Sequence, residues 1–249
     1  LFGKSIMVTR SRSQNSKLVE RIMDLGGNPI EIPTIKIEKV QDNKELENEI
    51  KNLKDYTYLV LTSKNGVDIF FDKLDEMGLD CRALANIKVC SIGAATSKAI
   101  IRRGIKPDIQ PEKAVGESLY DELKDIVSKE DKILIPRAKN AREFLVKKLN
   151  EISNVTEVVT YESVMDDSKK EEAISALEEG NLDYITFASS STVTNFINLI
   201  GEENKDKLSN TKIISIGKIT TKTILDNGLE VYKESEKASI ESMIEAMSE

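Results

Sequence analysis

Four short turns combine small residues with hydroxyl side chains, and each lies between a strand-like run and a helix-like run. Helix starts attract anions, because unpaired N–H groups and the positive end of the helix dipole meet there. Ser, Thr and Asn also serve simply as helix N-caps, so both interpretations stay open for a single turn. Four such turns together favour a shared anion-binding cleft, and its candidate residues are Thr62, Ser63, Asn65, Gly93, Thr96, Ser189, Ser190, Ser191, Gly217 and Thr220.

Three arginines are further candidates for binding a carboxylate, since guanidinium groups recognise carboxylates well. Arg10 and Arg137 follow equivalent strand-like runs, and Arg142 lies a few residues beyond the second. The alternative is that each is an ordinary solvated or structural arginine.

The composition excludes several kinds of site. The chain has no histidine, so it has no Ser-His-Asp or Cys-His arrangement, and Cys81 and Cys90 alone cannot form a zinc site. No carboxylate spacing resembles a metal site, and neither a Walker A loop nor a G-x-G-x-x-G motif is present. We therefore expect no metal and no organic cofactor.

Charge and hydropathy limit the partners. The formal net charge is −7, no run of Lys or Arg forms a basic stripe, and aromatic residues make up 5% of the chain. These features argue against nucleic acid as a partner. The longest apolar runs are strand-sized, and no apolar segment typical of a secretion signal follows the N-terminus. We expect a cytoplasmic protein that does not bind membranes and is a monomer.

Alternating elements must position the candidate residues. Buried-strand runs such as "SIMVT", "TYLVLT" and "IKVCSI" are each followed by apolar residues at helical spacing and then by glycine. "KILIP", "DYITFA" and "KIISI" continue the pattern in the second half. This alternation predicts the α/β class with parallel sheets.

The chain also contains an internal repeat. "YTYLVLTSKNGVDIFF" at 56–71 aligns with "LDYITFASSSTVTNFI" at 182–197, and "IKVCSIGAATSKAIIRRG" at 87–104 aligns with "TKIISIGKITTKTILDNG" at 211–228. "SIMVTR" at 5–10 aligns with "KILIPR" at 132–137. Three segments at nearly one offset predict two similar α/β domains.

Two extended segments break the pattern, "IPTIKIEKV" at 32–40 and "EVVTYESVMD" at 157–166. They lie one repeat apart. They are either ordinary edge strands or a paired two-stranded connection between the domains, and the residues alone favour neither.

The motifs, taken in order, resemble those of the uroporphyrinogen-III synthase family. The resemblance rests on "LVLTSKNGV", "SIGAATSKAI" ending in "RRG", "KILIPRAKNAREFL", "VTEVVTYESV", "ITFASSSTV" and "SIGKITTKTI" ending in "NG". It covers essentially the whole chain. It implies two flavodoxin-like or Rossmann-like parallel-sheet domains, interleaved in sequence. The first would comprise 1–33 plus 167–249, the second 43–156, with 34–42 and 157–166 as a two-stranded linker.

The resemblance also implies a reaction. The family cyclises hydroxymethylbilane, a linear tetrapyrrole octacarboxylate, to uroporphyrinogen III with loss of water and inversion of ring D. It would make the chain a cofactor-independent hydro-lyase of haem biosynthesis that binds a small-molecule substrate. A site without histidine suits this chemistry, because the electron-rich pyrrole assists loss of the hydroxyl group and the main task is orientation.

The family's motif assigns residues one by one. Tyr161 matches the tyrosine of the return strand, and we expect its hydroxyl to assist departure of the ring A hydroxyl as a hydrogen-bond donor. The other cleft positions map onto Thr62, Ser63, Asn65, Thr96, Ser189, Ser190 and Thr220. The chain departs from the family where Lys218 replaces Pro, Ala138 replaces Gly and Asn65 replaces a frequent Arg. A non-catalytic binding protein for a small polyanion, or a regulator descended from the enzyme, therefore stays an alternative.

Overall fold

The computed structural model describes residues 1–10 and 12–248, and the side chains of the first helix from Lys17 onward. Its strands are β1 (Ser5–Val8), β2 (Asn28–Glu31), β3 (Ile35–Lys39), β4 (Tyr58–Leu61), β5 (Lys88–Ser91), β6 (Lys132–Ala138), β7 (Asn154–Met165), β8 (Tyr184–Phe187), β9 (Lys212–Ser215) and β10 (Lys233–Glu234). Its helices are α1 (Arg12–Asp24), α2 (Lys44–Lys51), α3 (Lys64–Glu76), α4 (Ala94–Arg102), α5 (Gly116–Leu123), α6 (Phe144–Ile152), α7 (Lys170–Glu178), α8 (Ser190–Ile200), α9 (Lys218–Asp226) and α10 (Ile240–Ser248), with short 3-10 helices at Leu53–Asp55, Cys81–Leu84 and Glu202–Leu208.

The contacts divide the chain into two compact units. Unit 1 is Leu1–Lys36 with Val164–Glu249, and unit 2 is Ile37–Ser163. The chain passes from unit 1 to unit 2 within β3 and returns within β7. No helix in the described part of the chain is long and apolar enough to span a membrane.

Unit 1 contains a five-stranded sheet in the order β2-β1-β8-β9-β10, and its strand pairs are parallel. This is the 2-1-3-4-5 order of flavodoxin-like folds, in which ligands bind outside the carboxyl ends of the strands. Alternate residues of β1 point to opposite faces. Met7 packs with Phe196 of α8 on one face, and Ile6 packs with Ile22 of α1 on the other. Burial on both faces explains why the strands are continuous apolar runs.

Unit 2 repeats this layered arrangement, with the sheet order β3-β7-β6-β4-β5. Leu59 and Leu61 of β4 pack with Phe70 on one face, whereas Tyr58 and Val60 lie in the cluster on the other. An isolated parallel bridge from Cys90 to Ile109 occupies the outer edge beyond β5. The predicted α/β class with parallel sheets is confirmed.

Strand β7 has two partners along its length. Its first part runs parallel to β6 from Asn154 to Tyr161, with a register shift at Arg137/Ala138. Further along, backbone hydrogen bonds join Asp166 to Thr34 and Val40 to Thr160, both at 3.0 Å. The paired residue numbers run in opposite directions, so β3 and β7 are antiparallel. One strand therefore completes the sheet of unit 2 and also forms the ribbon through which the chain changes units.

Candidate active site

The four hydroxyl-rich turns all open helices, as predicted. Ser63 is the N-cap of α3, Gly93 of α4, Ser189 of α8 and Gly217 of α9. Their preceding strands are sheet neighbours, β4 beside β5 in unit 2 and β8 beside β9 in unit 1. Because these strand pairs are parallel, the two turns of each unit lie next to each other at the carboxyl ends of the strands. In unit 1 they are joined by a hydrogen bond of 3.3 Å from Ser190 Oγ to the carbonyl oxygen of Ile219.

The first turns of these four helices carry no acidic residue. Acidic residues occupy the first turns of α2, α5, α7 and α10, whereas α1 and α6 also lack them. Acidic side chains stabilise a helix N-terminus, and none of the chain's 43 lies in the first turn of the four helices that begin at the hydroxyl-rich turns. Lysines begin two of the helices, exposed Lys64 in α3 and exposed Lys218 in α9. The arrangement gives up some dipole stabilisation, and at α9 the Glu234 carboxylate of β10 accepts a hydrogen bond of 2.6 Å from Thr221 Oγ1.

Two of the turns have glycine as the N-cap, and these caps make no side-chain hydrogen bond to the helix. Gly93 has φ of 81°, a conformation that favours glycine. Thr96 is the third residue of α4, Thr220 is the third residue of α9, and both are buried. Because their side chains point into the protein, the backbone N–H groups are the more accessible donors in these two turns.

Hydroxyl pairs tie the same two helices to their strands. Ser91 Oγ lies 2.7 Å from Ser97 Oγ in unit 2, and Thr221 Oγ1, which donates to Glu234 at 2.6 Å, lies 2.9 Å from Ser215 Oγ in unit 1. The two pairs occupy equivalent positions of the repeat. They hold each helix start firmly at the end of its strand.

Tyr161 and Ser63 come together in unit 2, although 98 residues separate them. The Tyr161 hydroxyl lies 2.7 Å from Ser63 Oγ in a partly buried hydrogen bond. Ser63 Oγ also accepts a hydrogen bond of 3.0 Å from the Gly66 N–H. The register shift between β6 and β7 pairs Tyr161 with Ala138, and Tyr161 is 5% exposed. The tyrosine and a hydroxyl-rich turn thus form one local arrangement.

The equivalent turn of unit 1 satisfies its own hydroxyls. Ser189 Oγ accepts from the Thr192 N–H, Thr192 Oγ1 accepts from the Ser189 N–H, and the two bonds form a capping box. Ser191 Oγ lies 2.9 Å from Ser189 Oγ. Ser189 and Ser190 are partly exposed and Ser191 is exposed, so all three reach the surface of the unit.

The three arginines have different surroundings. Arg137 Nη1 donates to Glu157 at 2.7 Å and Nη2 donates to the carbonyl of Ala141, with the side chain 7% exposed. This guanidinium holds the loop after β6 to the neighbouring strand, which is a structural role. Arg10 is half-buried, and burial lowers its pKa. Arg142 is exposed.

A cavity of about 290 Å³ lies at the carboxyl end of the unit 2 sheet. The sequence-predicted residues on its lining are Thr62, Arg137 and Arg142. The sequence interpretation did not include Val115, Gly116 and Phe144, which also line it. Val115 and Phe144 are 39% and 37% exposed. No spacing rule connects these apolar positions with the hydroxyl-rich turns, so only the folded chain identifies them.

Comparison with known proteins identifies the family. The family described as Uroporphyrinogen-III synthase HemD matches residues 16–245. The chain belongs to the uroporphyrinogen-III synthase family. The porphyrin biosynthesis protein HemD of Ruminiclostridium josui is 34% identical over the whole of this chain, which spans 49% of that relative's length. The uroporphyrinogen-III synthase of Synechococcus elongatus is 27% identical over 99% of this chain and 95% of its own.

A solved structure shows the same fold within the uroporphyrinogen-III synthase family. A crystal structure of a mutant uroporphyrinogen III synthase from the extremely thermophilic bacterium Thermus thermophilus covers 99% of this chain and 98% of its own, with a TM-score of 0.65 and 17% sequence identity.

The described residues contain no group of three or more His, Cys, Asp or Glu side chains placed to hold a metal ion. The four hydroxyl-rich turns gather hydroxyls, backbone amides and the lysines Lys64 and Lys218, with the Glu234 carboxylate hydrogen-bonded to Thr221 in unit 1. Their chemistry suits a polycarboxylate ligand.

Proposed function

We propose that the chain converts hydroxymethylbilane to uroporphyrinogen III. Support comes from the family and from four helix N-termini that are rich in hydroxyls and free of acidic residues, two in each unit. The substrate carries eight carboxylates, whereas the protein carries a net charge of −7. Long-range attraction therefore opposes binding, and local donors must recognise the substrate. The observation that carries this proposal is the placement of two hydroxyl-rich, acid-free helix starts side by side at neighbouring strand ends in each unit.

Binding is assigned to the exposed and partly exposed groups of the turns. In unit 2 these are Thr62, Asn65 and the backbone N–H groups that follow Gly93. In unit 1 they are Ser189, Ser190, Ser191 and the N–H groups that follow Gly217. Arg10 and Arg142 supply positive charge, whereas we leave Arg137 out because Glu157 and Ala141 already accept its hydrogen bonds.

Catalysis begins with loss of the ring A hydroxyl. The C–O bond breaks, the pyrrole nitrogen supplies the electron pair and loses its proton, and water leaves. Tyr161 donates a hydrogen bond to the departing oxygen and stabilises its developing charge. No redox or metal group is needed in this step, because the pyrrole provides the electrons. The expected class is a cofactor-independent hydro-lyase.

Orientation then decides the product. Free hydroxymethylbilane closes without inversion to isomer I, so the protein must hold ring D against ring A while the macrocycle closes. This is a proximity effect, and fixed contacts to the carboxylates are sufficient for it. The hydroxyl pairs Ser91–Ser97 and Ser215–Thr221, which fix helix starts to strand ends, supply that rigidity.

The test is isomer analysis of the product. Purified protein is mixed with freshly generated hydroxymethylbilane, and the oxidised porphyrins are separated into isomers I and III. We expect isomer III in excess at a rate proportional to protein concentration. Isomer I alone, at the spontaneous rate, would refute the proposal and favour a non-catalytic polyanion-binding protein.

A further inference from the structure

The hydrogen bond between Ser63 and Tyr161 has a preferred direction. Ser63 Oγ already accepts from the Gly66 N–H at 3.0 Å, at the positive end of α3. A serine hydroxyl has one proton to donate, and its second neighbour is the Tyr161 hydroxyl at 2.7 Å. The helix end favours an arrangement in which the serine oxygen faces the helix and the serine proton points away from it.

We propose that Ser63 is a positioning residue that donates its hydroxyl proton to Tyr161 Oη and so leaves the phenolic proton directed at the departing hydroxyl of the substrate. The chain of donors then runs from the Gly66 N–H through Ser63 to Tyr161. Successive hydrogen bonds polarise one another in the same direction, which makes the phenol a better donor. This role rests on the proposed function and goes beyond carboxylate binding by the turn.

Two further features support the assignment. Residue 66 is glycine, and a Cβ there would lie 3.2 Å from Ser63 Oγ. The equivalent residue in unit 1 is Thr192, whose hydroxyl takes part in the capping box with Ser189. The Thr192 hydroxyl bonds to the Ser189 backbone, and Ser189 Oγ pairs with Ser191 Oγ at 2.9 Å within its own turn, whereas Ser63 Oγ pairs with Tyr161 on another strand.

Three substitutions of Ser63 separate capping from proton direction. Ser63→Thr keeps both the cap and the hydroxyl donor. Ser63→Ala removes both. Ser63→Asp keeps the N-cap, because Asp is as good an N-cap as Ser, but an ionised carboxylate only accepts hydrogen bonds. A role limited to helix capping or to holding the Tyr161 ring would survive in the Asp variant.

We expect Ser63→Thr to keep kcat within about threefold of the wild type, and Ser63→Ala and Ser63→Asp to lower kcat by about tenfold or more. Because the added negative charge also weakens binding of a polycarboxylate, kcat is measured at saturating substrate and separated from KM. Asp80→Ala is the matched control. It removes a capping oxygen of unit 2 that accepts from Arg82 N at 2.9 Å, outside the proposed site, and it should leave kcat unchanged.

A spectroscopic measurement tests the pair without substrate. With ¹³Cζ-labelled tyrosine, the chain gives six tyrosine signals, and Tyr161→Phe identifies the one that disappears. This signal should move in Ser63→Ala and Ser63→Asp and stay near its wild-type position in Ser63→Thr and Asp80→Ala.

Full kcat in a folded Ser63→Asp protein would overturn the positioning role. A Tyr161 signal that keeps its wild-type position in Ser63→Ala would overturn it too. Loss of kcat in Ser63→Thr with an unchanged Tyr161 signal would overturn it as well. These results are distinct from a failure of the proposed function, which would show as a wild-type protein that forms no isomer III.

Discussion

The same helix start serves different purposes in the two units. In unit 1, Ser189 and Thr192 form a closed capping box at the N-terminus of α8. In unit 2, the equivalent positions are Ser63 and Gly66, and the serine hydroxyl pairs instead with a tyrosine on β7. Both serine oxygens cap their helix, but Ser189 Oγ finds its second partner, Ser191 Oγ, within its own turn, whereas Ser63 Oγ finds it on another strand.

The two units also differ at the residue that follows an equivalent threonine, Thr34 in unit 1 and Thr160 in unit 2. Thr34 Oγ1 donates to the carbonyl of Thr9 in unit 1, and Thr160 Oγ1 donates to the carbonyl of Arg137 in unit 2. The residue that follows is Ile35 in unit 1 and Tyr161 in unit 2. The repeated scaffold thus offers two equivalent places for a phenol, and only unit 2 has one. In the proposed reaction, unit 2 is therefore the unit that supplies the proton donor.

The largest expected effect comes from removing the Tyr161 hydroxyl, because unit 1 has Ile35 at the corresponding position. Tyr161→Phe should lower kcat by about a hundredfold without unfolding the protein, because it deletes the donor and retains the ring. Isomer-resolved rates and the thermal unfolding midpoint are the measurements. Tyr56→Phe is the control. Tyr56 is also buried in unit 2, its hydroxyl donates to Glu49, and burial followed by that hydrogen bond raises its pKa to about 12. If both variants lose activity equally, the special role of Tyr161 is wrong.

A smaller effect is expected when the two caps are exchanged. Gly66→Thr should let a threonine hydroxyl bond to the Ser63 backbone, as Thr192 does to Ser189, and its Cβ, 3.2 Å from Ser63 Oγ, should push that oxygen away from Tyr161. We expect kcat to fall by about tenfold with little loss of stability, since glycine is a poor helix residue.

The reverse change, Thr192→Gly, should act mainly on stability. It removes one half of the capping box and adds a flexible residue, and together these cost about 1–2 kcal/mol of unfolding free energy. Urea unfolding measures that loss, and rates at saturating substrate show whether kcat falls less than in Gly66→Thr. Equal kcat effects from the two substitutions would contradict the functional difference between the caps.

The smallest effect concerns alkaline pH. Cys90 on β5 corresponds to Ile214 on β9, and burial raises the pKa of the Cys90 thiol from 9.0 to about 12. Above pH 9 the thiol ionises in the unfolded chain but stays protonated in the folded protein. The contribution of Cys90 to the free energy of unfolding is therefore complete below pH 9 and is lost as the pH rises towards 12. The loss is about 1.4 kcal/mol for each pH unit at most. Cys90→Val should make the unfolding free energy less steep between pH 9 and 10.5, and an unchanged slope would show that Cys90 is not responsible.

Much of the fold follows from local patterns. The run "TYLVLT" predicts β4, and "KIISI" predicts β9, because strands buried on both faces must be continuously apolar. The glycines at 78 and 104 mark helix ends, since both adopt positive φ. The lack of acidic residues in the first turns of α3, α4, α8 and α9 was also readable from the sequence, once the helix starts were known.

The sequence by itself determined the class of the fold, the repeated turns and the absence of imidazole chemistry, because each depends on residues close together in the chain or on composition. Only the tertiary structure decided which hydroxyls meet. The contact between Ser63 and Tyr161 spans 98 residues and depends on the register of β7 against β6, including the shift at Arg137/Ala138. The structural partners of Arg137 depend on the same register. Such contacts are set by how strands pair across the sheet, and no periodicity along the chain encodes that pairing.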